Sequence, residues 1–187
     1  MNISKTDEYL AKTYLESFKL EVENYSKTEH DEKTPDFKVT AQSELYFFCE
    51  VKSIFTTTND TGILYNTIYN AISGKIHSAY KQFRGVNSNH YVPNVLVIIS
   101  HNMQINWHSF EELARGFIKL GPSSFVDITK YRMGRIRYEF REIDLFIWLE
   151  DIQAAKLFFN NHNMRNVALL SQVFSFDLKS ISNETFG

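Results

Sequence analysis

The sequence predicts one α/β domain with an open mixed sheet flanked by helices. Two near-continuous apolar runs, 45–53 and 93–100, have the β-branched and aromatic content of strands covered on both faces. Between and around them lie segments whose apolar residues recur every three to four positions, the period of amphipathic helices. No repeat, proline-rich linker or low-complexity tract divides the 187 residues, so residues 1–187 read as a single domain. Its core is expected over about 5–100, with an elaboration of further strands and helices over about 101–187.

Taken in order, Ser4 caps a helix over 5–18, on which Leu10, Tyr14 and Phe18 form the apolar stripe. Leu20 and Val22 alternate with Glu21 and Glu23, as in a half-buried strand. A second short strand, entered through Pro35, covers 36–40, and the run 45–53 is the central strand. Residues 63–84 are helical, with Ile68, Ile72, Ile76, Ala79 and Phe83 on one stripe and Gly85 as the C-terminal cap. After the 93–100 strand, Ser109 and Glu112 form a capping box for a helix ended by Gly121 and Pro122. This makes the order αβββαβα. From 125 to 150 the expectation is strands, including Arg135–Arg141 and the run 144–150, followed by short helices at 152–160 and 165–175.

Composition narrows the classes. Hydrophobic residues make up 43% of the chain and aromatics 15%, enough to build a core without cross-links. The only cysteine, Cys49, excludes an internal disulfide and any multi-cysteine zinc site, so a reducing, cytoplasmic setting is expected. The six histidines lack metal-ligand spacing and read as packing or surface residues, with His101 kept in view because it ends a strand of an open sheet. The first residues have no signal-like apolar stretch, and no 18-residue apolar run offers a membrane span. A net charge of −2 does not advertise a nucleic-acid partner.

The chemistry concentrates at the central strand. Side chains alternate on a strand, so Glu50 and Lys52 share a face while Cys49, Val51 and Ser53 take the other. Burying those charges requires a partner, and Asp36, on the preceding strand of a hairpin, is the nearest second carboxylate. Two carboxylates with a backbone carbonyl are hard oxygen ligands suited to Mg²⁺, and a lysine at the rim suits the orientation of an attacking water.

Thr-Pro-Asp at 34–36 followed by Cys-Glu-Val-Lys at 49–52 resembles the PD-(D/E)XK nuclease superfamily, and the order αβββαβ is similar to its restriction-endonuclease-like core. The resemblance covers about residues 5–100. It implies that Asp36 and Glu50 hold Mg²⁺, with Mn²⁺ as a substitute, together with the carbonyl of Val51. It also implies that Lys52 is the catalytic lysine, that the first helix adds an acid, a placement Glu8 matches better than Glu16, and that Gln82 is the polar residue of the second. The expected activity is phosphodiester hydrolysis, with DNA favoured over RNA by family analogy.

The clearest basic feature is the run 130–141, where Lys130, Arg132, Arg135, Arg137 and Arg141 meet one acid, Glu139. As a strand it would put Arg135, Arg137 and Arg141 on one face, either as a phosphate-binding stripe or as a solvated edge. A homodimer is compatible with double-strand cleavage, and the apolar pattern of 152–176 is either its interface or a layer packed onto the sheet. The competing function is a catalytically silent module of the same fold that binds nucleic acid or a protein partner in a defence or repair complex.

Overall fold

The computed structural model describes residues 3–25, 34–55, 65–121, 124–127 and 134–174. Their elements are α1 (Ile3–Glu16), β1 (Glu21–Asn24), β2 (Phe37–Ala41), β3 (Glu44–Ile54), α2 (Tyr65–Val86), β4 (Asn94–Ser100), α3 (Trp107–Arg115), β5 (Phe117–Gly121), β6 (Ser124–Asp127), α4 (Gly134–Arg141), β7 (Leu145–Leu149), β8 (Ala155–Phe159) and α5 (Met164–Val173). Six strands form one mixed sheet in the order β1-β2-β3-β4-β7-β8, while β5 and β6 pair separately. Strands β3, β4 and β7 run parallel; β1, β2 and β8 join antiparallel at the edges.

The sheet separates two apolar layers. Cys49 and Val51 of β3 pack with Ala11, Tyr14 and Leu15 of α1 and with Val167 and Leu170 of α5. Phe48 and Ile54 pack with Ile72, Ile76, Ala79 and Phe83 of α2, with Phe110 of α3, and with Ile136 and Phe140 of α4. This is why β3, β4 and β7 carry little polarity: both faces of their central stretches are covered by helices. The apolar side of α5 is turned onto this chain's own sheet, which accounts for most of the apolar pattern in 165–175. None of the described helices is long and apolar enough to cross a membrane.

Several expectations are corrected. Residues 135–141 belong to a helix, not a strand. Ile136 and Phe140, four apart, are buried with Ile143, whereas Tyr138, which the alternating pattern would send inward, is 58% exposed. Residues 155–159 form a strand where a helix was expected, because β7, apolar on both faces, needs a neighbour along its free edge and Leu157 and Phe159 alternate correctly for it. The first helix starts at Ile3, so Ser4 lies inside it. Gly85 lies within α2, and Asn87 closes that helix instead. Its amide bonds to the Phe83 carbonyl at 2.7 Å, and its side chain bonds Val92, Asn94 and the Tyr91 amide. The third helix is capped by Asn106, whose side chain accepts from His108 and Ser109 amides. It ends at Gly116, which takes the left-handed conformation at φ 75°, so Gly121 falls in β5.

The amino ends of β4 and β7 are tied by buried Asp144. Its carboxylate accepts from the Asn94 amide at 2.8 Å, the Asn166 side chain at 3.1 Å and His90 Nε2 at 2.6 Å. Burial pulls the His90 imidazole down, but the bond and charge of Asp144, with Glu142 nearby, outweigh it and leave the ring above its usual range. Asp144→Ala strands three donors at once. It is expected to cost about 3 kcal/mol or more, read as a lower urea midpoint with an unchanged slope.

Candidate active site

The hairpin β2–β3 brings the sequence-separated charges together. Phe37 lies opposite Cys49, so Asp36, one residue before β2, falls beside Glu50. The main chain and the two carboxyl groups then lock reciprocally. The Asp36 amide donates to Glu50 Oε2 at 3.1 Å, and the Val51 amide donates to Asp36 Oδ2 at 2.8 Å. Tyr25 fixes the approach from the other side, its amide bonded to the Asp36 carbonyl at 2.9 Å.

Lys52 shares the face of Glu50. Its ammonium donates to Glu50 Oε1 at 2.5 Å and to Gln82 Oε1 at 2.7 Å, while the Gln82 amide reaches the Thr34 carbonyl at 3.4 Å. Gln82 is placed by α2, whose buried stripe of Ile72, Ile76, Ala79 and Phe83 turns the neighbouring stripe of Lys75, Ser78 and Gln82 toward the sheet margin. Asp36, Glu50, Lys52 and Gln82 therefore form one group drawn from two strands and a helix.

Glu50 is 1% exposed. Burial, then the charge of Asp36, push its carboxyl up to about 8, although Lys52 and the Asp36 amide pull it down. The site as it stands is short of positive charge. On the reverse face of β3, burial and then the same two acids raise the Cys49 thiol well above its usual range, so this cysteine is a core residue and not a nucleophile.

Two cations not singled out from the sequence border this group. Lys38 lies opposite Phe48 and so shares the face of Glu50, its ammonium 4.4 Å from the centre of the Tyr25 ring. Lys75 on α2 is half-buried; burial, then the charge of Lys52, lower its ammonium. Helical spacing to Gln82, seven residues on, was the available signal for Lys75, and strand alternation from Asp36 was the signal for Lys38. Lys38, Lys52 and Lys75 thus set three cations on the side of the sheet that carries Asp36 and Glu50, in a chain whose net charge is −2.

The remaining candidates are distributed elsewhere. The acid of α1 that is turned onto β3 is Asp7, buried and bonded to Ser53; half-buried Glu8 follows it, about 100° further round the helix. Among the described residues no group of three Asp, Glu, His or Cys side chains is gathered to hold a metal ion. Lys130 and Arg132 lie outside the described residues. Arg135 is in α4, as are Arg137 and Arg141, so the three do not line a strand face. Arg137 and Arg141 are exposed one helical turn apart, and together they lower His162, after burial. Helix α4 meets α2 through His77–Glu139 at 2.6 Å and the Tyr80–Tyr138 ring pair, away from the Gln82 stripe.

No protein-family model, curated protein or solved structure matches this chain.

Proposed function

We propose that the chain is a Mg²⁺-dependent nuclease with a restriction-endonuclease-like core, hydrolysing phosphodiester bonds, with DNA as substrate. The observation that carries this reading is the locked carboxylate pair Asp36–Glu50 with Lys52 held 2.5 Å from one of its oxygens. The resemblance of Thr34–Asp36 and Cys49–Lys52 to the PD-(D/E)XK pattern supports it, as does the order α1-β1-β2-β3-α2-β4.

The donor set fits the cation. Asp36 and Glu50, with the Val51 carbonyl, are hard oxygen ligands, too few for Ca²⁺ and suited to an ion that keeps water and takes a phosphate oxygen. A buried carboxyl pushed to about 8 beside a second acid is a place where a divalent charge is strongly stabilised. Bound there, Mg²⁺ supplies Lewis-acid polarisation of the phosphate and a more acidic water.

The chain's own residues do the positioning. Lys52, pinned between Glu50 and Gln82, offers a fixed positive charge that orients an attacking water and offsets charge developing on the phosphoryl oxygens. Water oxygen bonds to phosphorus, the bond to the leaving sugar oxygen breaks, the attacking water's proton passes to solvent, and the leaving oxygen takes up a proton from solvent. Lys38 and Lys75 attract the flanking phosphates, a role the net charge of the chain would not suggest.

The reading is tested by incubating purified protein with supercoiled, linear and single-stranded DNA in Mg²⁺ or Mn²⁺. Cleavage that stops on adding EDTA and is lost in Asp36→Ala is the expected result. Metal binding by calorimetry without cleavage of any substrate removes the enzyme reading and leaves the silent scaffold, in which Lys52 bridges Glu50 and Gln82 as a structural link.

A further inference from the structure

The turn that joins α2 to β4 carries a second charged group, apart from the candidate active site. His90 stands in this turn with its backbone in the left-handed region, φ 49°, a conformation that costs energy for a residue with a side chain. Its amide bonds to the Asn87 carbonyl at 2.9 Å, and the Asn87 amide in turn closes α2 on the Phe83 carbonyl. The strained turn is therefore also the end of the helix that delivers Gln82 to Lys52.

Both ring nitrogens of His90 face carboxylates. Nε2 lies 2.6 Å from Asp144 Oδ2, and Nδ1 lies 3.6 Å from Glu142 Oε2. A neutral imidazole has one N–H and one lone pair, so it can serve only one of these acids and turns its lone pair on the other. An imidazolium serves both. The acids hold opposite edges of the ring and do not converge on one point, so the group is not built like a metal site. Asp144 is buried, and its bonds from the Asn94 amide and the Asn166 side chain come from neutral donors. Of these three bonded partners, only the ring can carry a charge that balances the carboxylate.

We propose that the α2–β4 turn is a proton-operated latch: His90 as an imidazolium between Asp144 and Glu142 holds it shut, and loss of that proton loosens the turn and the end of α2. Burial works against the charged ring, but the bond and charge of Asp144, with the charge of Glu142, outweigh it and keep the proton on above the usual 6.5. The folded state thus binds the extra proton, so the latch contributes fully below 6.5 and is lost as pH rises through the raised value. The latch does not depend on the nuclease reading and is read without cleavage.

The test follows the His90 ring by NMR from pH 5 to pH 9 in the full chain without metal, together with hydrogen exchange of the Asn87 and His90 amides. The ring is expected to titrate above 6.5. Protection of the two amides should fall about five- to tenfold as it does, the difference between a charge-assisted and a neutral bond. The Val97 amide, on a strand paired on both sides, is the reference for global opening. Glu142→Gln, which leaves the buried bonds of Asp144 in place, should lower the titration midpoint. His90→Asn, which tolerates the left-handed backbone, should leave the two amides weakly protected at every pH. A ring that titrates at or below 6.5, protection that ignores its titration, or a wild-type pH response in His90→Asn overturns the latch. So does a fall that Val97 matches in full, because the event is then global unfolding.

Discussion

Lys52→Ala is expected to lower metal-dependent cleavage by about a thousandfold or more while leaving the protein folded, because it removes a positioned charge from the reacting centre. The usual objection is that deleting one member of a buried ion pair strands the other. Here the stranded group is Glu50, whose carboxyl already titrates near 8 and can remain neutral by keeping its proton. Circular dichroism should therefore show an unfolding temperature close to wild type at pH 6.5, even as single-turnover cleavage disappears. A Lys52→Ala protein that cuts DNA at the wild-type rate would remove Lys52 from the reaction. One that unfolds at pH 6.5 would mean the Lys52–Glu50 pair is mainly structural.

The second large effect is on pH. On the proposed reading Glu50 would bind the metal as carboxylate, so below about 8 the apparent Mn²⁺ affinity should rise roughly tenfold per pH unit and level off above it. Between pH 6 and 8 this approaches a hundredfold, measurable by calorimetry. The stability of the metal-free protein moves the other way. A carboxyl with a raised folded pKa contributes stability that is fully present below its unfolded value of 4.5 and is lost as pH rises through about 8, since the folded state binds the extra proton over that window. Added Mn²⁺ should thus raise the melting temperature more at pH 8.5 than at pH 6. A metal-induced shift that is flat across this range would show that Glu50 is not a ligand.

Much of the site was legible because strand alternation is a strict rule. Once 45–53 reads as a doubly covered strand, Glu50 and Lys52 must share a face, and the only acid correctly spaced on the preceding strand is Asp36. Gln82 came from the resemblance alone, as the polar residue expected on the helix after that strand. The arginine run was misread because Ile136, Tyr138 and Phe140 satisfy a two-residue period while Ile136 and Phe140 also satisfy a four-residue one, and over seven residues the two patterns overlap. Tertiary packing against α2 decided it. The choice between Asp7 and Glu8 was equally invisible: adjacent acids differ only in the direction they leave the helix, and that is set by how α1 rests on the sheet. Lys75 shares a helical stripe with Gln82, but that this stripe meets the acids depends on how α2 packs on β3, which no local pattern records.

The charged residues from 36 to 52 belong to a single hairpin, whereas Gln82 reaches them from a helix joined to that hairpin by a separate stretch of chain. The acids and Lys52 thus share one hairpin, and α2 meets it twice, through the Gln82–Lys52 bond and through an apolar stripe packed on Phe48 and Ile54. A slide of that helix would therefore move the lysine and the strand that carries Glu50 together. The fold thereby couples both halves of the charged group to the seating of a single helix.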